Sequence, residues 1–140
     1  MYLLDTNVIS EFRKIATDKA NQGLRDWASQ QDVKWFCLSV VTFMELERGI
    51  LSIERRDARQ GELLRRWYET VVKKQFQLQT LFIDDKTAEI CAALHVPNKC
   101  PENDAWIAAQ AIQHNLTIVT RNEKDFIGLG IKLINPFSEN

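Results

Sequence analysis

The chain lacks the signatures of several specialised protein classes. Its three cysteines, Cys37, Cys91 and Cys100, form no Cys-x-x-Cys pair and have no histidine at zinc-ligand spacing. That pattern excludes a small zinc module or disulfide scaffold and reads as reduced thiols of a cytoplasmic protein. No basic-then-apolar leader precedes Asp5, so no signal peptide is expected. No apolar run reaches the roughly 18 residues of a membrane span. Neither Gly-x-x-x-x-Gly-Lys-Ser/Thr nor Gly-x-Gly-x-x-Gly is present, which argues against nucleotide-cofactor chemistry. The formal net charge is −1, so any attraction for nucleic acid must come from local patches.

What is present suffices for one domain over residues 1–140: 45% of the residues are hydrophobic, enough for a single core. Short apolar runs alternate with helical patterns. Tyr2-Leu3-Leu4 reads as a strand, and Asp5-Thr6-Asn7 offers caps for a short helix ending near Phe12. Leu24, Trp27 and Ala28 predict an amphipathic helix over roughly 18–31. Residues 35–39 form a buried strand, and Thr42 with Glu45 predicts a capping box on a helix through Ile50. One long helix is expected over 54–74, with seven basic and four acidic side chains. A strand over 80–83 leads to Asp84-Asp85 and another helix. A loop at 98–103, an Ala-rich helix over 105–114 and strands at 117–120 and 132–134 complete the pattern. Such alternation predicts a parallel α/β sheet covered on both faces. The working site of such a sheet lies at the carboxyl ends of its strands.

Acids fall where that rim should be. Asp5 follows the first strand, Glu45 comes shortly after the second, Asp104 opens a helix, and Asn122 with Glu123 and Asp125 follows the fourth. Singly, each has a plain explanation as a helix cap or a favourable charge at a helix start. Together they describe carboxylates converging from distant segments, the oxygen-rich donor set that hard divalent cations take. Asp84-Asp85 has the same strand-to-helix context and is read as capping alone. His95 and His114 lack metal spacing and a visible Cys or Ser partner, and are assigned to surface or packing roles. The basic side of 54–74 reads as a solvated face that could also meet a phosphate backbone.

The blocks Leu3-Leu4-Asp5-Thr6-Asn7, Glu45-Leu46-x-x-Gly49, Asp104-Ala105-Trp106-Ile107-Ala108-Ala109, Thr120-Arg121-Asn122-x-x-Asp125-Phe126 and Ile134-Asn135-Pro136-Phe137 resemble PIN-domain ribonucleases. The similarity is to the toxin subunits of bacterial VapBC and FitAB pairs, and it spans the whole chain in order. It implies a three-layer α/β/α domain with a parallel sheet of about five strands. It further implies Mg²⁺- or Mn²⁺-dependent cleavage of RNA, a homodimer and a small antitoxin covering the site. The family's acids map to Asp5, Glu45 and Asp104, with Thr6 and Thr120 as supporting hydroxyls. The fourth family acid falls on Asn122, which brings a carbonyl oxygen without charge; Asp125 or Glu123 could compensate. Arg55, Arg56 and Arg59 are the candidates for RNA-backbone contact.

Two alternatives stand beside this reading. A degenerate, non-cleaving member would act by binding RNA or antitoxin. A phospho-accepting receiver would want an acid pair after the first strand, where Asp5 stands alone. The sequence does not distinguish RNA from DNA.

Overall fold

The structure, a computed structural model, describes residues 1–139. Five short strands carry the architecture: β1 (Tyr2–Leu4), β2 (Phe36–Ser39), β3 (Thr80–Leu81), β4 (Thr117–Val119) and β5 (Lys132–Ile134). All pair in parallel in the order β3-β2-β1-β4-β5, which puts β1 at the centre. Parallel neighbours require crossover segments, and these supply the helices on both faces.

Successive residues of a strand face opposite sides, so Leu3 and Leu4 enter different cores. On one face Leu4, Phe36 and Leu38 pack with α1 (Thr6–Phe12), α2 (Gln22–Ser29), α3 (Val40–Arg56) and α4 (Ala58–Trp67). The helical path continues through a π-turn at Tyr68–Val72 into α5 (Lys73–Gln75). On the other face Leu3, Cys37 and Ile118 pack against α7 (Glu102–His114), with α6 (Asp85–Leu94) outside it. The result is the expected three-layer α/β/α arrangement. No helix among the described residues is long and apolar enough to cross a membrane.

Two helix expectations are corrected. The single helix expected over 54–74 is divided. Asp57 is extended (φ −152°, ψ 92°), ends α3 and caps α4 by accepting from Gln60 N–H at 3.1 Å. The chain then doubles back, and Gly61 sits against Glu54. A Cβ there would lie 2.6 Å from Glu54 Cγ, so only glycine permits this approach of the two helices. The capping box expected at Thr42 and Glu45 is absent. Ser39 caps α3, accepting from Val41 N–H at 2.9 Å, and the helix starts at Val40. Thr42 is fully buried instead.

Candidate active site

β1 and β4 are neighbours with Leu4 opposite Val119, so the next residue of each strand, Asp5 and Thr120, meet at the carboxyl rim. The Thr120 hydroxyl donates to Asp5 Oδ2 at 2.8 Å. The Thr6 N–H donates to Asp5 Oδ1 at 2.8 Å as the cap of α1. Asn7 ties this corner together: its amide donates to Asp5 Oδ2 at 3.2 Å and to Thr120 Oγ1 at 3.3 Å, and its carbonyl accepts from Arg121 N–H at 3.1 Å. Asp5 is only 6% exposed, yet every group that holds it is neutral.

Glu45 reaches the same corner from α3. Because Ser39 caps that helix, the Glu45 carboxylate is free of the capping role. The Thr6 hydroxyl donates to its Oε1 at 2.6 Å, and the Asn103 amide donates to its Oε2 at 3.3 Å. Asp104 arrives from α7. A crossover helix preceding a parallel strand runs opposite to it, so the start of α7 lies at the strands' carboxyl rim.

These acids repel one another. Burial, then repulsion from Asp5, Asp125 and Glu45, pushes the Asp104 carboxyl up to about 6. Burial also raises Asp5, against the lowering hydrogen bonds from Thr120 and Thr6; Glu45 and Asp125 push it further in the same direction. Among the described residues none of the four forms an ion pair with a Lys, Arg or His. The corner therefore holds carboxylates whose negative charge no cationic side chain among the described residues offsets. Also among the described residues, no three Asp, Glu, His or Cys side chains already form a finished metal cage. The donor chemistry, carboxylate oxygens without a cationic partner among the described residues, fits a hard cation.

The remaining predicted positions divide. Asn122 donates its backbone N–H to Thr120 Oγ1 at 3.0 Å, but its side chain is exposed and caps nothing. Glu123 is exposed and accepts a long hydrogen bond from Asn135 at 3.5 Å. Asp125, half-buried in a 3₁₀ turn (Glu123–Asp125), is the residue of this segment that acts on Asp5 and Asp104. Arg55, Arg56 and Arg59 are exposed and lack a carboxylate partner among the described residues. They are not brought to the acids, since Arg55 is ten residues beyond Glu45, about 15 Å along the helix. Arg65 is held by Glu47 at 2.7 Å and by Glu54, which removes it from any phosphate role. His95 does have a cysteine neighbour: its Nδ1 lies 3.6 Å from Cys100 Sγ and its Nε2 3.5 Å from Glu102, tying the end of α6 to the start of α7.

Sequence reading missed Asn7 and Asn103, neutral amides that hold the acids. Their only signal was position, Asn7 two residues after Asp5 and Asn103 directly before Asp104. A groove of about 300 Å³ leads away from Thr6 and Glu45. Leu46, Ile50, Leu64 and Trp67 form its apolar wall, and Arg13 and Lys14 border it.

Known proteins resemble this chain in sequence and in fold. The chain is 29% identical to "VapC ribonuclease Y4jK" of Sinorhizobium fredii, over 98% of both chains. It is 28% identical to "Toxin FitB" of Neisseria gonorrhoeae, over 99% of this chain and all of that one. The crystal structure of FitAcB from the same organism superposes with a TM-score of 0.86 at 28% identity, covering 97% of this chain and 98% of that chain. Residues 2–131, nearly the whole fold and every acid of the rim, match the PIN domain, and the chain belongs to that family.

Proposed function

We propose that this protein is a divalent-metal-dependent endoribonuclease and the toxin of a type II toxin–antitoxin pair. One observation carries the reading: Glu45 is tied to the Asp5 corner through Thr6, Asp5 and Asp104 are each repelled by Glu45 and Asp125, and no cationic side chain among the described residues pairs with any of the four. The relatives named as a VapC ribonuclease and as toxin FitB support the ribonuclease and toxin parts of it. Mg²⁺ or Mn²⁺, when bound, supplies the charge that activates a water and offsets charge on the phosphoryl oxygens.

The chain's own residues do the rest. Asp5, Asp104 and Glu45 would hold the ion. Thr6, Thr120 and Asn7 keep Asp5 and Glu45 oriented through neutral hydrogen bonds. Asp125 brings the fourth negative charge that Asn122 lacks, while Asn122 shapes the turn through its backbone N–H. Arg55, Arg56 and Arg59 contact phosphates a few nucleotides from the cut bond. The amphipathic groove beside Glu45 suits a segment of the antitoxin. Exposed Met44 and Ile83, with Val40 and Trp106, line an apolar depression that suits a second copy of the chain. A second reading, a member that binds RNA without cutting it, draws on the unfinished cage and on Asn122.

Incubating the purified protein with end-labelled RNA separates them. Cleavage in Mn²⁺ that is lost with chelator and with Asp5→Asn is the expected result. RNA binding without Mn²⁺-dependent cleavage supports the second reading. Cleavage that persists in chelator or in Asp5→Asn contradicts the metal mechanism.

A further inference from the structure

Asn103 stands between two of the acids without being one. Its amide donates to Glu45 Oε2 at 3.3 Å, and its sequence neighbour is Asp104. Val41 of α3 shares a buried apolar cluster with Ile107 and Ala108 of α7. Pro101 occupies the N-cap position and makes no side-chain cap hydrogen bond. The polar contacts anchoring this turn are few: the Glu102 carboxylate lies near His95 at the end of α6, and Asn103 reaches α3. Asn103 also borders the depression of about 290 Å³ lined by Val40, Val41, Met44, Ile83 and Trp106. Asn103 is half-buried, and the side-chain hydrogen bond it makes among the described residues is the one to Glu45.

Glu45 is held at both oxygens by neutral donors, Thr6 at Oε1 and Asn103 at Oε2. A Lys or Arg in either place would neutralise the carboxylate and compete with a metal for it. An amide orients it and leaves its charge intact. We infer that Asn103 is a positioning residue: it sets Glu45 relative to Asp104 across the α3–α7 boundary, so that the two carboxylates serve one ion. The inference rests on the metal-dependent reading above. Residues that orient metal ligands typically change metal affinity or activity about 10–100-fold when removed.

The test is a double-mutant cycle read by Mn²⁺ calorimetry. Asn103→Leu keeps the size and branching of the side chain and removes the donor; Asn103→Gln keeps an amide. Asn103→Leu is expected to weaken Mn²⁺ binding about tenfold and lower kcat with RNA KM unchanged, while circular dichroism shows the parent fold. Asn103→Gln is expected to recover most of that loss. In a Glu45→Gln background, Asn103→Leu should change Mn²⁺ affinity by less than about twofold, because the charged ligand it orients is gone. Parental Mn²⁺ affinity in Asn103→Leu, or the full loss repeated in the Glu45→Gln background, overturns the role of Asn103 while leaving the metal reading intact. A parent protein that binds no Mn²⁺ overturns the metal reading and this inference with it. That outcome is distinguishable because it appears before any Asn103 variant is made.

Discussion

Asp5 and Asp84 sit in the same local setting and behave in opposite ways. Each follows a strand region, has extended backbone and caps the helix that begins next. Asp84 is exposed, and hydrogen bonds from Thr87, together with one from Gln113, hold its carboxyl below the usual range. Asp5 is buried and faces other acids, and its carboxyl is pushed up. Asp84 makes a full capping box with Thr87 and is finished as a cap. Asp5 caps α1 and retains negative charge that nothing nearby neutralises. The difference lies in the sheet: β1 is central and its carboxyl end is met by β4, α3 and α7, whereas β3 is an edge strand. On the proposed reading, a strand-to-helix acid becomes a metal ligand where topology aims other acids at it.

The sharpest way to break the comparison is to neutralise both. Asp5→Asn should reduce Mn²⁺-dependent RNA cleavage about a thousandfold or more, and Asp84→Asn should stay within about twofold of the parent. Equal effects would erase the distinction.

The second way is stability against pH. Asp104 has a folded-state pKa of about 6 against an ordinary 3.8. Well below the ordinary value of 3.8 the group is protonated in folded and unfolded chains alike, and no penalty arises. As pH rises from about 4 to 6 the unfolded chain ionises first, so metal-free stability falls, then levels above 6. Asp5 acts in the same direction. Asp104→Asn should therefore stabilise the metal-free protein at pH 7 by about 1–3 kcal/mol and flatten that slope, as read by urea unfolding. Asp84, with its lowered pKa, works the other way: its contribution is present above the ordinary value and is lost as pH falls. Asp84→Ala should lower the melting temperature at pH 7 and leave the decline between pH 4 and 6 intact.

A subtler probe moves the fourth charge. Asp125→Asn should weaken Mn²⁺ binding about tenfold, and Asn122→Asp in that background should restore part of it; calorimetry reads both. No loss in Asp125→Asn would remove that residue from the site. The smallest effect concerns the remote arginines. Reversing Arg55, Arg56 and Arg59 to Glu should raise RNA KM by about threefold to tenfold and reduce its salt dependence, with kcat unchanged.

Much of this was readable in the chain itself. Strand–helix alternation and the strand-end acids predicted the parallel sheet and its rim, because hydrophobic runs and caps are local signals. The parallel register of β1 and β4 then makes Asp5 and Thr120 meet. Three features resisted. The break at Asp57 was hidden because residues on both sides favour helix, and only the Gly61–Glu54 approach shows why the chain turns. Thr42 imitated a cap, yet Ser39, three residues earlier and still extended, took that role. Asn7 and Asn103 looked like ordinary amides, since their value comes from partners 113 and 58 residues away. Side-chain convergence over such separations has no local pattern.

The central claim is that Asp5, Glu45 and Asp104 grip one divalent ion. A crystal soaked in Mn²⁺ tests it directly. The account predicts an anomalous peak within bonding distance of carboxylate oxygens of Asp5 and Asp104, absent from an Asp5→Asn crystal. A fully soaked crystal with no peak at that rim, or with a peak that survives Asp5→Asn unchanged, would contradict it.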